Sequence, residues 1–432
     1  MEPPDPQLAP LPGPPNGAGR PDGRSGWRAL ALDLGPLRRH RDFRLLAFSR
    51  AISFFGSMIT YVAVPFQVYR LTRSSLAVGA VGLVELACLL SMVFLGGALA
   101  DAIDRRKLVF GGEVALAAGS IALAGNASLP HPRVWPIFVA VALMAGFDAL
   151  QRPSFDALMP RLVDPTELAA AASIESLEGT IGQVAGPALA GILIAFAGLP
   201  AAYLADVLTF ALSVAALAAM RAVPPPRDSA PPSVRRVVEG FAYARSRPDL
   251  LGTYAIDLLA MFFGMPSALF PAIASRYGGA GVVGLLYAAP SAGAFVVALT
   301  SGWTARIHRH GRAIAAAAVV WGAAIVVFGL GHWLWLAVAG LVLAGAADMV
   351  SGLFRTTLWN RSVPDSLRGR LASLEFVSYS AGPLLGNAEA GTAAAAFGVE
   401  ASVVAGGVLC VLSVAACAAA CRQLLAYDDR SG

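Results

Sequence analysis

The chain has 432 residues, 57% of them hydrophobic and 14% charged, with a formal net charge of +5 and a mean hydropathy of +0.66. That balance is far more apolar than a soluble domain tolerates, so the chain reads as an all-α integral membrane protein. The basic excess calls for no nucleic acid partner, because it falls where membrane topology puts it.

Residues 1–36, rich in Pro and Gly and without an apolar h-region, read as a disordered cytoplasmic tail rather than a signal peptide. Apolar blocks of about twenty residues follow, each enough for a helix to cross ~30 Å of hydrocarbon. In the first half, 37–221, they fall near 43–69, 76–100, 107–126, 134–156, 168–197 and 200–221. In the second half, 249–425, they fall near 249–275, 281–305, 312–330, 333–357, 370–396 and 399–425, twelve in all, before a short tail at 426–432.

Between the halves, 222–248 is a linker in which Pro224, Pro225 and Pro226 stop the sixth helix. Val234, Val237, Val238 and Phe241 follow at i, i+3, i+4 and i+7, with Arg235, Arg236 and Arg245 around the other side, which predicts a short helix lying on the inner leaflet. Alternate connections carry the arginines, among them Arg38, Arg39, Arg161, Arg306, Arg309 and Arg361, whereas the opposite ones show only Arg70, Arg73, Arg133 and Arg276. Both termini and the linker are therefore placed in the cytoplasm, and the protein in the cell's inner membrane. Cys88, Cys410, Cys417 and Cys421 lie within helices without a His-containing cluster, so neither a metal nor another cofactor is expected.

The halves are tandem repeats. An offset of 200 matches Asp148 with Asp348, Arg161 with Arg361, Ser173 with Ser373, Glu175 with Glu375, and Gly186 and Gly191 with Gly386 and Gly391. Earlier in each half an offset of 205 matches Gly79 with Gly284 and Gly97 with Gly302.

Between the second and third helices stand Gly97, Asp101, Arg105, Arg106 and Lys107, a small-residue helix end followed by an acid and a basic cluster. The spacing resembles the signature loop of the major facilitator superfamily, with Ala102 where an Arg is usual and Asp104 where a Gly is usual. The resemblance implies two six-helix bundles, with Asp101 meeting the start of the eleventh helix and Arg105 reaching Asp156. On the fifth helix Gly182, Gly186, Pro187 and Gly191 resemble the glycine-proline motif of proton-coupled antiporters in that superfamily, which implies export. Gly182 and Gly186 also form a small-xxx-small contact face. Arg152-Pro153 through Met159-Pro160-Arg161-Leu162-Val163, with Gly382-Pro383-Leu384-Leu385-Gly386-Asn387 later, resembles the branch of enterobactin-type siderophore exporters and macrolide efflux pumps.

A charge at the bilayer centre costs at least ~2.5 kcal/mol, so ionisable residues there are kept for pairing, wet cavities or transport. Glu85, Asp148, Glu175, Asp257 and Asp348 form the expected pool for a proton site, with Arg50 and Arg152 as their partners. Arg50 and Asp257, two turns into the pseudo-equivalent first and seventh helices, are expected to pair across the halves. Glu113 and Asp206 lie on the third and sixth helices, which the resemblance assigns to outer scaffold. Phe55, Tyr61, Gln67, Phe263, Tyr287 and Tyr379 are candidate walls of a midplane cavity for a bulky amphipathic cargo.

The expected function is proton-coupled efflux of a small molecule by a monomer in the lipid bilayer. The rivals are a facilitator of the same fold that imports a nutrient or moves a lysolipid, and an intramembrane enzyme. The last lacks a His-Glu-x-x-His pair and a serine elbow, and the sequence shows no phosphate loop for ATP-driven pumping.

Overall fold

The computed structural model describes residues 33–102, 105–221, 245, 247–363 and 365–427, with the backbone alone at 93–102, 305 and 365–378. In chain order the helices are α1 (Gly35–Arg39), α2 (Arg41–Thr72), α3 (Ser75–Ala102), α4 (Arg105–Ser128), α5 (Trp135–Leu158) and α6 (Leu168–Ala219). Then come α7 (Pro248–Gly264), α8 (Phe270–Tyr277), α9 (Ala280–Thr300), α10 (His310–Leu330), α11 (Leu334–Ser362), α12 (Asp365–Phe397), α13 (Val399–Ala420) and α14 (Arg422–Ala426). Among the described residues there is no strand, as an environment without water for open backbone requires. The linker reading at 222–244 and the tails at 1–32 and 428–432 lie outside the described residues.

Nine helical stretches among the described residues are long and apolar enough to cross a membrane. One of them, Pro165–Ala219, contains α6, which folds into two limbs at Gly198. There φ is +81°, a conformation open to glycine and strained for other residues, and Pro200 starts the return limb. This break falls at the predicted boundary between the fifth and sixth helices. α5 and α12 are also long, at 24 and 33 residues.

The predicted seventh helix is not continuous. α7 stops at Gly264, and a 3-10 turn over Ser267–Leu269 leads into α8. Pro266, in the gap, has no N–H to continue the ladder. The donors beyond it are taken by α12, where Asn387 Oδ1 accepts from Ser267 Oγ at 2.6 Å and from the Ala268 N–H at 2.9 Å.

Within the first half, α2 and the return limb of α6 are joined by buried polar pairs along their length. Ser49 and Ser213 hydroxyls lie 2.7 Å apart, Thr60 donates to Asp206 Oδ2 at 2.5 Å, and Tyr203 donates to Gln67 Oε1 at 2.7 Å. Ser120 of α4 gives Asp206 Oδ2 a second donor at 2.6 Å. At the other end, Glu167 takes Arg39 at 2.7 Å on one oxygen and His40 at 2.7 Å on the other, which pins the end of α1 to the turn before α6.

The two halves meet along two glycine seams. A Cβ added to Gly79 of α3 would come 2.6 Å from the Asn387 carbonyl oxygen of α12, and one on Gly391 would come 2.6 Å from the Ser75 carbonyl oxygen and 3.2 Å from Gly79 Cα. In the second seam a Cβ on Gly191 of α6 would lie 2.9 Å from Gly284 Cα of α9. Backbones this close leave no room for a side chain. The four are repeat partners, Gly79 with Gly284 and Gly191 with Gly391, so each seam joins one member of each pair to one member of the other.

Candidate functional site

A cavity of about 520 Å³ lies along α2, walled by α3, α4, α5 and the first limb of α6. Seven ionisable side chains from the first half line it: Arg50, Glu85, Glu113, Asp148, Arg152, Glu175 and Glu178. The second half closes one side with Ser267 and Ala268 at the break after α7, Tyr287 of α9, and Leu384 and Asn387 of α12. The unwound segment thus faces the cavity, where irregular backbone at membrane depth is tolerated.

Of the proton-site candidates, Glu85, Asp148, Glu175, Arg50 and Arg152 line this cavity, whereas Asp257 and Asp348 do not. Arg50 and Asp257 do not pair with each other. Arg50 of α2 holds Glu175 of α6 at 3.0 Å and Asp156 of α5 at 3.2 Å. Asp257 of α7 is paired with Arg355 of α11, whose other nitrogen is 3.9 Å from Asp348. Each charge has a partner one helix away in its own half, which the expectation of a cross-interface pair overlooked.

The loop motif is read in part. Arg106 donates to the last-turn carbonyls of α6, Leu217 at 2.9 Å and Ala218 at 2.7 Å, and Lys107 is exposed. Arg105 donates to the Ala157 carbonyl at 3.4 Å. Asp156, its expected partner, is on Arg50 instead. Positions Gly97 and Asp101 fall in the part of α3 described by backbone alone, so the expected contact of Asp101 lies outside the described side chains.

The fifth-helix motif divides its contacts. Gly182 faces the Phe54 ring and Gly186 faces Met58 and the Phe55 carbonyl, both on α2, whereas Gly191 faces Gly284 across the seam. Pro187 sits within the first limb, its carbonyl against Gly284.

Among the aromatic candidates, Tyr61 and Tyr287 line the cavity, and Phe55, Gln67, Phe263 and Tyr379 do not. Phe54 lines the cavity where Phe55, about 100° further round the helix, does not. Gln67 is held by Tyr203, Phe263 packs edge-to-face on Phe262 at 4.9 Å, and Tyr379 is exposed. Tyr61 and Tyr287 meet edge-to-face at 5.3 Å, ending a run of rings that continues through Phe270 at 4.9 Å to Phe328 at 5.6 Å.

Glu113, set aside as scaffold from its helix number, is fully buried in the cavity wall. Its Oε1 accepts from Ser53 at 3.0 Å and Gln151 at 3.1 Å. A readable signal pointed there: Ser49, Ser53, Thr60 and Gln67 form a polar stripe on one face of the first helix, and such a stripe needs polar partners on its neighbours.

A profile of the transmembrane secretion effector family matches residues 31–429. The chain belongs to that family of the major facilitator superfamily. It is 32% identical over 370 residues to the enterobactin exporter EntS of Citrobacter koseri, covering 84% of this chain and 87% of the relative. It is 31% identical over 362 residues to the enterobactin exporter EntS of Escherichia coli, covering 83% and 86%. In fold it is similar to a POT family transporter solved in complex with 5-aminolevulinic acid, with a TM-score of 0.71 at 12% identity over 89% of this chain and 97% of that one. The protein is accordingly a multi-pass membrane transporter and not an enzyme.

Proposed function

We propose that the protein exports a small amphipathic molecule from the cytoplasm across the inner membrane, driven by protons moving the other way. The observation that carries this reading is the cavity between the halves, with seven ionisable side chains at membrane depth in its wall. Charges that expensive are retained where they pair, meet water or move. The relatives named as enterobactin exporters favour outward transport, and a siderophore, a macrolide or a comparable drug fits the cargo class.

In this reading the chain crosses the membrane twelve times as a monomer, in bundles 37–221 and 249–425, with both termini and the 222–248 linker in the cytoplasm. The halves rock about the glycine seams so that the cavity faces each side in turn. The proton is carried by a member of the group Glu85, Asp148 and Glu175, with Arg50 and Arg152 as exchange partners. Asp257 and Asp348, paired with Arg355, hold the second half in register. The loop motif from Gly97 to Lys107 latches the inner side through Asp101.

The test is transport in vesicles of reconstituted protein. With an imposed pH gradient, enterobactin or erythromycin accumulates against its own gradient, and accumulation collapses when a protonophore is added. Equilibration that ignores the protonophore instead identifies a facilitator and overturns the proposal. Single substitutions Glu85→Gln, Asp148→Asn and Glu175→Gln locate the proton carrier; full gradient-driven transport in all three removes these side chains from that role.

A further inference from the structure

The cavity wall is not electrically balanced. Against the guanidinium groups of Arg50 and Arg152 stand the carboxyl groups of Glu85, Glu113, Asp148, Glu175 and Glu178. Arg50 is shared between Glu175 and Asp156, and Arg152 follows Asp148 by one helical turn on α5. Both cations therefore serve the side formed by α5 and the first limb of α6. Glu85, on α3 across the cavity, has no hydrogen bond or ion pair among the described residues.

Tyr61 of α2 and Tyr287 of α9 line the same cavity as Glu85. The two rings pack edge-to-face at 78°, so they present differently oriented surfaces to the same wall. Tyr287 is fixed in this pose, because its hydroxyl donates to the Ser267 carbonyl at 2.9 Å and its ring rests on Phe270. An anionic side chain next to preorganised phenol rings, in a low-dielectric recess, is the chemistry that recognises an organic cation.

We infer that Glu85, Tyr61 and Tyr287 form a binding site for the positive group of a lipophilic organic cation, such as a protonated amine or a quaternary onium ion. The cation replaces the missing partner of Glu85 and takes ring faces from the tyrosines, while its apolar body fills the space toward Phe54, Met58 and Leu89, which line the same cavity. An anionic cargo of equal size meets the excess of carboxylates instead. The site rests on the export reading for its place in a transport cycle, but its occupancy needs no gradient.

The test uses an isosteric pair of opposite charge, tetraphenylphosphonium and tetraphenylborate, in equilibrium dialysis at pH 8 against purified full-length protein, with empty micelles subtracted. Tetraphenylphosphonium binds saturably and tetraphenylborate does not. Glu85→Gln weakens tetraphenylphosphonium by at least about tenfold, and Tyr287→Leu weakens it with Glu85 in place and by more than Tyr287→Phe, which keeps the ring but loses the hydroxyl that fixes it. Glu389→Gln, in a separate groove formed with Phe262 and Phe397, leaves binding unchanged and controls for general effects of charge removal.

Equal saturable binding of tetraphenylborate, or undiminished tetraphenylphosphonium binding by Glu85→Gln, overturns the site. Saturable tetraphenylphosphonium binding without gradient-driven export leaves the site standing and removes the export reading. Gradient-driven export of another cargo without such binding does the reverse.

Discussion

The two halves clasp the same pair of helices with the signs exchanged. In the first, the cation is Arg50 on the opening membrane helix and the acids are Asp156 on α5 and Glu175 on α6. In the second, the acid is Asp257 on α7 and the cation is Arg355 on α11, with Asp348 beside it. The repeat has kept where a charge pair is needed and let its polarity go. It has also moved the buried acid: in the first clasp Glu175 of α6 is 17% exposed and Asp156 60%, and in the second Asp257 of α7 is 7% exposed and Asp348 45%. The first clasp borders the cavity through Arg50 and Glu175, and the second lies outside it.

The comparison breaks most easily at the second clasp. Arg355→Ala leaves Asp257 buried without a cation and is expected to cost about 3–5 kcal/mol, read as lost folded yield and a lower Tm in detergent. The exchange Asp257→Arg with Arg355→Asp, which copies the first half's polarity, should recover most of that loss. Failure to recover would mean that surroundings as well as position fix the sign.

The seams come next. Gly191→Val drives a side chain into α9 and is expected to cost about 1–3 kcal/mol, with transport lost more completely than stability, measured by vesicle uptake alongside thermal unfolding. Arg50→Ala should be milder on stability, because one of its two acids, Asp156, is 60% exposed and screened by solvent, yet severe on gradient-driven transport. That split between the two readouts would separate a working clasp from a holding one. Smallest of all, Gly302→Ala should change stability by less than about 0.5 kcal/mol, since nothing lies within 4 Å of the added carbon.

The fold was legible because membrane helices write themselves as apolar blocks, and because Gly79, Gly191, Gly284 and Gly391 repeat for a reason that the seams make plain. The break after α7 was not legible: Pro266 could have bent a continuous helix, and the decision lies with Asn387, 119 residues away from Ala268. Charge partners were misread for a similar reason. Arg50 and Asp257 occupy matching places in their halves, and pseudo-symmetry suggested a pair where local neighbours on α5, α6 and α11 supplied nearer ones. Glu113 was set aside by helix number, although the serine facing it from the first helix carried the better signal.

The polar stripe between α2 and the return limb of α6 also constrains how the protein is made. Ser49, Thr60 and Gln67 enter the bilayer first, but their partners Ser213, Asp206 and Tyr203 are synthesised 164, 146 and 136 residues later. Until then the first helix carries unmatched hydroxyl and amide groups in or beside lipid, so it needs a polar escort during insertion. A ribosome stalled before residue 219 should leave the nascent first half extractable and protease-sensitive, and release past that point should close it in one step.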